Sequence, residues 1–194
     1  MSNEIKIAVI GLGQIGSYLL NELNNKKKDI LNKTGKKINI VAVSAKNKNK
    51  KRSFKINKKI FYSNPLEIIK KKKIDILFEA IGLSDGISKK IVEIAIKNKI
   101  HVITPNKALI SKHGDYLSKL AEKNKVNLEF EASVGGGIPI LRTIKEGLAT
   151  NKIFKVYGIL NGTSNYILSE METTKNSFED VLKKAQSLGY AEPG

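Results

Sequence analysis

Residues 5–16, IKIAVIGLGQIG, decide the fold. The apolar run 5–10 favours a strand, and it continues directly into a G-x-G-x-x-G pattern and then into apolar residues at helical spacing. In such a unit Gly11 makes the tight turn, Gly13 lets a pyrophosphate approach the backbone, and Gly16 lets the helix pack on the strand. This context predicts a dinucleotide-binding unit rather than an ordinary strand-to-helix turn.

The rest of the chain repeats the alternation of strand and helix. Apolar runs predict further strands at residues 38–43, 75–80, 100–104 and 126–131. Helical patterns occupy residues 66–73 and 87–98, and a helix that follows residue 107 is expected to break near His113 and Gly114, whereas residues 44–60 are expected to form a loop. This spacing predicts an α/β fold with a Rossmann-like, doubly wound parallel sheet.

The pattern changes after Pro139. Residues 141–149 are predicted to be helical, residues 153–160 to form a long strand, and two further helices are expected from residue 166 and over 178–188. The intervening polar loop, NGTSN, suits either plain turn chemistry or the binding of a small polar molecule. We therefore predict a dinucleotide-binding domain over residues 1–133 and the beginning of an α+β substrate and dimerisation domain over residues 134–194.

The end of the second predicted strand bears on the choice of cofactor. An NAD site usually has an acidic residue there, which binds the ribose 2′-hydroxyl. This strand instead continues into Ser44 and Lys46, and no Asp or Glu occurs between Asp29 and Glu67. A small hydroxyl residue followed by cations suits a 2′-phosphate, so we predict NADP over NAD, or tolerance of both.

Lys107 is the cation whose position sets it apart from the other lysines. It follows a strand's predicted carboxyl end, where ligands bind in open α/β sheets, inside a Pro-Asn-Lys turn. A lysine at a helix N-terminus opposes the helix dipole, which disfavours a purely structural role. We predict that Lys107 faces a cofactor or a carboxylate substrate.

Composition limits the classes of partner. The formal net charge of +17 suggests nucleic acid, but Arg52 and Arg142 are the only arginines, and bidentate recognition of bases and phosphates favours arginine. We therefore expect solvated lysines and no nucleic-acid partner. No window has the apolar length of a bilayer span, no signal peptide is apparent, and cysteine is absent, so we expect a cytoplasmic protein without membrane association.

Residues 128–140, LEFEASVGGGIPI, form a second glycine-rich stretch. A glycine-rich turn ahead of a helix suits an anion, but the phosphate role already belongs to the first glycine motif. We predict instead that Gly135, Gly136 and Gly137 mark the crossover from the cofactor domain to the substrate domain.

Five stretches together resemble the homoserine dehydrogenase family: IAVIGLGQIG from residue 7, HVITPNKAL from 101, FEASVGGGIPI from 130, GILNGTSNYIL from 158 and AQSLGYAEP from 185. The resemblance implies NAD(P)-dependent reduction of L-aspartate 4-semialdehyde to L-homoserine, in threonine, methionine and isoleucine biosynthesis. It also implies a small-molecule substrate and a full-length form that is a homodimer or larger.

The resemblance also implies a role for particular residues. The implied cofactor contacts are Gly11, Leu12, Gly13, Gln14, Ile15, Gly16 and Lys107, and Lys107 is also implicated in catalysis. The predicted cofactor contacts further include Ser44 and Lys46 after the second strand, and Ile81 and Ser84 after the third, where this chain departs from the Gly-Gly loop common in the family. A monovalent cation, Na⁺ or K⁺, is implied at Glu131, Val134, Gly136 and Ile138, held largely through backbone carbonyls. Substrate contacts are implied at Asn161, Gly162, Thr163 and Glu192.

The family pattern extends past Gly194 to the lysine that donates a proton to the product. We therefore expect an N-terminal fragment that binds cofactor with little turnover. Two alternatives stay open. One is another amino-acid dehydrogenase of the same plan, such as an aspartate dehydrogenase, which the stretch NGTSNYIL disfavours. The other is a non-catalytic, basic module that binds a nucleotide or nucleic acid.

Overall fold

The computed structural model describes residues 3–48, 52, 56–159 and 161–191. The chain divides into two compact units, Met1–Ala149 and Thr150–Gly194. The predicted boundary between residues 133 and 134 concerns where the cofactor domain ends, and it stays a prediction.

The first unit is built on a parallel sheet, which in the described residues has six strands in the order β3-β2-β1-β4-β5-β6. Every neighbouring pair runs parallel. The order reverses at β1, with β2 on one side and β4 on the other, as in a doubly wound sheet. The predicted fold class is confirmed. The strands are β1 Glu4–Ile10, β2 Lys37–Ser44, β3 Phe61–Tyr62, β4 Ile76–Glu79, β5 His101–Ile103 and β6 Leu128–Glu129.

Helices connect these strands. The helices of the first unit are α1 Gln14–Asn25, α2 Lys27–Thr34, α3 Leu66–Lys71, α4 Ile87–Lys97, α5 Lys107–Asn124, α6 Glu131–Val134 and α7 Ile140–Arg142. A single 3₁₀ turn, Lys58–Ile60, precedes β3, and a π-helical turn, Thr143–Gly147, continues α7. None of the helices in the described part of the chain has the length and apolarity to cross a bilayer.

The core lies on both faces of the sheet, because successive side chains of a strand point to opposite sides. On β1, Ala8 and Ile10 belong to the apolar cluster that also contains α4 and α5 residues, whereas Ile7 and Val9 belong to the cluster that contains Leu20 of α1. A strand buried on both faces has no polar alternation to show, and this is why residues 7–10 of the first strand, which are buried, are all apolar.

Helix α5 corrects one prediction. The predicted break near His113 and Gly114 is wrong, because α5 is continuous from Lys107 to Asn124. A glycine inside a helix costs about 1 kcal/mol relative to alanine. The burial of Leu109 and Leu117 against the sheet offsets that cost, since neither side chain is exposed.

The strand predicted over residues 153–160 is wrong for residues 153–159, which are irregular, and Leu160 lies outside the described residues. A strand forms only where a neighbour accepts and donates its backbone hydrogen bonds. None of the described strands pairs with this segment, and its large side chains face solvent: Phe154 is 85% exposed and Tyr157 84%.

Two smaller corrections concern short elements. Residues 61–62, next to the stretch predicted as a loop, pair with the end of β2 as strand β3, which is too short to show a pattern of its own. The fifth predicted strand, residues 126–131, is reduced to β6, and Glu131 instead begins α6.

The second unit contains α8, Gly162–Thr174, and α9, Phe178–Ser187. Ile167 of α8 packs with Val181 and Ala185 of α9 in a small apolar cluster. The Tyr166 and Tyr190 rings meet edge to face with their centroids 4.9 Å apart. Both helices were predicted, α9 from its amphipathic pattern, but α8 begins at Gly162 rather than at the predicted residue 166.

Leu77 tests the importance of the sheet core. Leu77→Ala removes a fully buried side chain of β4, and we expect the free energy of unfolding to fall by about 2–5 kcal/mol in urea titrations. The matched control is Leu31→Ala on α2, because Leu31 is 41% exposed and its loss should cost roughly 0.5 kcal/mol or less. Equal effects of the two changes would contradict this account of the core.

Candidate cofactor site

A cleft of about 1000 Å³ opens at the carboxyl ends of the strands, where the strand order reverses. Ligands of open α/β sheets bind at this place. Its lining comes from the glycine loop after β1 and from the loops after β2, β3 and β4. The lining includes the predicted cofactor residues Gly11, Leu12, Gly13, Ser44, Lys46 and Ile81. Their contacts to a cofactor stay predictions.

The three glycines of the first loop have separate physical roles. A Cβ at Gly11, where φ is +92°, would lie 2.3 Å from the Ala80 carbonyl oxygen. A Cβ at Gly16 would lie 1.9 Å from the Gly11 carbonyl oxygen. A Cβ at Gly13 would meet no described atom within 4 Å, and Gly13 faces the cleft. Two glycines thus allow close packing of the backbone, and the third leaves space at the cleft.

Helix α1 begins at this loop with Gly13 as its N-cap, and no described side chain caps it. Its first amide N–H groups therefore have no intrahelical acceptor. Exposed amides and the positive end of the helix dipole favour a phosphate group. The first turn includes Gln14 and Ile15, which are both exposed.

The loop after β2 carries the predicted determinants of the 2′-substituent. Ser44 is 2% exposed, and its carbonyl accepts a hydrogen bond from the Gly11 amide at 2.8 Å. Lys46 is exposed on the rim of the cleft. Hydrogen bonding between these two loops fixes the position of the β2 end relative to the glycine turn.

Arg52 is a cleft residue that the sequence analysis did not assign to the site. Its Nε donates to the Leu12 carbonyl at 3.3 Å, and its Nη2 donates to the Asn47 carbonyl at 2.9 Å. The guanidinium therefore ties the glycine loop to the loop after β2. The available signal was its identity, because it is one of two arginines in a chain rich in lysine.

Glu79 was also missed. It ends β4 and is fully buried. Its carboxylate accepts hydrogen bonds from the Thr104 hydroxyl at 2.6 Å, from the Ile81 amide at 2.8 Å and from the Asn106 side-chain amide at 3.3 Å. A carboxylate at the end of an otherwise apolar buried run was the signal that pointed to it.

Lys107, the predicted catalytic cation, is the first residue of α5 and is exposed. It has no side-chain hydrogen bond or ion pair to another residue in the part of the chain that the structure describes. Asn106 precedes it as the N-cap, with its side-chain oxygen accepting from the Leu109 amide at 3.1 Å. The cation is therefore fixed at its backbone by the cap, while its ammonium group remains available.

Ser84, predicted as a cofactor contact, lies beside a charged cluster. Its hydroxyl donates to the Asp85 carboxylate at 2.7 Å, and Lys112 and His113 of α5 contact the same carboxylate at 2.7 Å and 2.9 Å. The hydrogen bond from Lys112, with those of Ser84 and His113, holds the pKa of Asp85 well below its usual range. This cluster ties the loop before α4 to the side of α5.

The predicted cation residues lie close together in sequence around α6. Both Glu131 carboxylate oxygens accept backbone hydrogen bonds, from the Leu141 and Arg142 amides at 2.8 Å each. The Ile138 carbonyl accepts from the Ile140 amide at 2.8 Å. Val134 and Gly136 are exposed. A cation here would depend on backbone carbonyls rather than on a ring of carboxylates, and its site stays a prediction.

The predicted substrate residues belong to the second unit. Asn161 caps α8 by accepting from the Ser164 amide at 2.8 Å, and the Thr163 hydroxyl donates to the Tyr190 carbonyl. Helix capping thus accounts for part of the polar NGTSN loop. Gly162 begins α8, and Glu192 lies outside the described residues. Substrate contact by these residues stays a prediction.

A doubly wound parallel sheet with a glycine turn and a cleft at the point of strand reversal defines a dinucleotide-binding protein of the Rossmann class. The family model described as "Homoserine dehydrogenase, NAD binding domain" matches residues 11–131, and the one described as "Homoserine dehydrogenase" matches residues 139–194. The chain belongs to the homoserine dehydrogenase family, and the resemblance found in the sequence is confirmed.

Relatives agree along nearly the whole chain. The homoserine dehydrogenase of Neisseria gonorrhoeae is 41% identical over 188 residues, and that of Bacillus subtilis is 37% identical over 188 residues. Each alignment covers 97% of this chain and 43% of the relative. The solved homoserine dehydrogenase of Thiobacillus denitrificans is 38% identical, and the two structures superpose with a TM-score of 0.83. The superposition covers 98% of this chain and 44% of the Thiobacillus chain. The chain thus spans less than half the length of these relatives.

The glycine loop makes the separation of roles testable. Gly13→Ala should leave the fold intact, because its Cβ would meet no described atom within 4 Å, but should weaken NADPH binding about tenfold by occupying the space that the pyrophosphate needs. Gly16→Ala should instead lower the melting temperature, because its Cβ would overlap the Gly11 carbonyl. Fluorescence titration and thermal melts measure the two effects. A Gly13→Ala chain that binds NADPH like the unchanged chain would contradict the assignment.

Proposed function

We propose that this chain supplies the NADP-binding part of a homoserine dehydrogenase, which reduces L-aspartate 4-semialdehyde to L-homoserine in the biosynthesis of threonine, methionine and isoleucine. The observation that carries the proposal is the cleft of about 1000 Å³ with Gly11 and Gly13 at the point of strand reversal, in a chain of this family. A cytoplasmic location, and a homodimer or larger assembly of the full-length form, belong to the same proposal.

The chain's part in the chemistry is to bind and orient. The amides at the start of α1 would hold the pyrophosphate, and the loop after β4 with Ile81 would form the wall beside the cofactor. A bound nicotinamide supplies the hydride that reduces the aldehyde carbon. Lys107, with its ammonium group available at the start of α5, would stabilise negative charge on the cofactor or on the substrate carboxylate.

The choice of NADP over NAD rests on the loop after β2. Residues 44–48 carry no carboxylate that would repel a 2′-phosphate or bind a 2′-hydroxyl, and they present Lys46 on the rim of the cleft. A phosphate beside a lysine forms a charge-assisted hydrogen bond. The same loop gives an NAD ribose no acidic partner.

A monovalent cation at the glycine crossover is also part of the proposal. The residues around α6 offer carbonyl oxygens, which suit Na⁺ or K⁺, but the Glu131 side chain is already engaged by the Leu141 and Arg142 amides. We infer a structural cation near the glycine crossover, held by backbone carbonyls of Val134, Gly136 and Ile138.

Cofactor selectivity tests the function. We expect the chain to bind NADPH about tenfold more tightly than NADH, because only NADPH carries the extra phosphate. Lys46→Ala should weaken NADPH binding about threefold to tenfold and leave NADH binding almost unchanged. Isothermal titration calorimetry at fixed salt gives the dissociation constants.

The matched control is Lys97→Ala, which removes the same charge at the end of α4, away from the residues that line the cleft. It should leave both affinities unchanged. Tighter binding of NADH than of NADPH, or equal effects of the two lysine substitutions, would overturn the preference for NADP. Failure of the unchanged chain to bind either nucleotide would overturn the proposed function.

A further inference from the structure

We propose that Glu79 is a positioning residue that couples the loop beside the cofactor to the start of the helix that carries Lys107. This inference rests on the proposed cofactor function. Glu79 is the last residue of β4, and its side chain is fully buried. It lies at the carboxyl ends of the strands, where the cleft opens.

One arm of the coupling runs to the loop after β4. A carboxylate oxygen of Glu79 accepts from the Ile81 amide at 2.8 Å, and Ile81 and Leu83 line the cleft. The Asn106 side chain holds the same loop from the other side, because its amide donates to the Leu83 carbonyl at 2.9 Å. The cleft wall is thus attached at two points to the same buried polar cluster.

The other arm runs to β5 and α5. The Thr104 hydroxyl donates to the Glu79 carboxylate at 2.6 Å and accepts from the backbone N–H of Asn106 at 3.1 Å. Asn106 also donates to both Glu79 oxygens at 3.3 Å, while its own side-chain oxygen caps α5 at Leu109. The residue next to this cap is Lys107. The Glu79 carboxylate therefore holds both the cleft wall and the backbone at Lys107.

The cluster requires that both terminal side-chain atoms of residue 79 accept hydrogen bonds. The groups that face it are hydrogen-bond donors: the Ile81 amide, the Thr104 hydroxyl and the Asn106 side-chain amide. The Asn106 side-chain amide cannot flip, because exchanging its oxygen and nitrogen would break the cap at Leu109 and the hydrogen bond to the Leu83 carbonyl. In Glu79→Gln the new NH₂ group would face the Asn106 NH₂ in either orientation, which sets a donor against a donor.

The test compares NADPH binding by the unchanged chain and by Glu79→Gln, with circular dichroism to confirm folding. We expect the dissociation constant to rise about tenfold or more in Glu79→Gln, as a buried charge-assisted hydrogen bond is lost. The matched control is Asp75→Asn, at the residue directly before the amino end of β4, where the carboxylate accepts from the Lys6 amide at 2.7 Å. That change removes a carboxylate from the sheet but should leave the affinity within about twofold of the unchanged chain.

Amide hydrogen exchange separates positioning from general destabilisation. In Glu79→Gln the Ile81 and Leu109 amides should exchange faster, because their acceptors depend on the Glu79 cluster. The amide of buried Val9 should keep its protection. A general loss of stability would instead accelerate all three.

Should Glu79→Gln fail to fold, Thr104→Val decides, because it keeps the carboxylate and the side-chain shape but removes the hydroxyl between Glu79 and Asn106. The same rise in the dissociation constant is expected. An affinity within about twofold of the unchanged chain in the folded variant, or an equal loss in Asp75→Asn, would overturn the positioning role alone. Failure of the unchanged chain to bind NADPH would overturn the proposed function, and this inference with it.

Discussion

The close approach of the glycine turn to the end of β4 is the constraint on which the rest of the structure depends. Gly11 lies so near Ala80 that a Cβ there would sit 2.3 Å from the Ala80 carbonyl oxygen, and α1 then packs onto the turn at Gly16. Only glycine, which has no Cβ, allows both of these close backbone contacts. The start of α1 is thereby brought to the carboxyl ends of the strands, where its free amides can meet a phosphate.

Polar contacts around this turn fix the other walls of the cleft. The Gly11 amide bonds to the end of β2, and Arg52 ties Leu12 to the following loop. On the opposite side the buried Glu79 cluster holds the loop after β4 and the cap of α5. Because these groups are attached to strand ends, the sheet sets their spacing, and the polar contacts hold the loops in place around the cleft.

Much of this could be predicted from local pattern. The glycine turn and the alternation of strands and helices both have local sequence signals. The same reasoning failed at residues 153–159, because strand propensity does not show whether a partner strand exists. It failed at Gly114 because burial of Leu109 and Leu117 outweighs the weak helix propensity of a single glycine.

The parts of the candidate site that the sequence did not reveal depend on contacts between distant residues. Glu79 and Asn106 are 27 positions apart, and Arg52 and Leu12 are 40 apart. No local pattern reports such a pair, although a lone carboxylate in a buried run and a rare arginine were signals to follow. Lys107 could be predicted as a candidate because its position after a strand end is itself a local feature, and its role stays a prediction.

The cleft at the point of strand reversal is proposed to bind the nicotinamide cofactor. Mapping the backbone amide resonances of the chain during an NADPH titration tests it most directly. We expect the largest shifts at residues 11–16, at Ser44 and at Ile81, with saturation at one equivalent of nucleotide. Shifts that leave the glycine turn unchanged and spread over the lysine-rich surface at residues 26–28 and 70–73 would contradict the account.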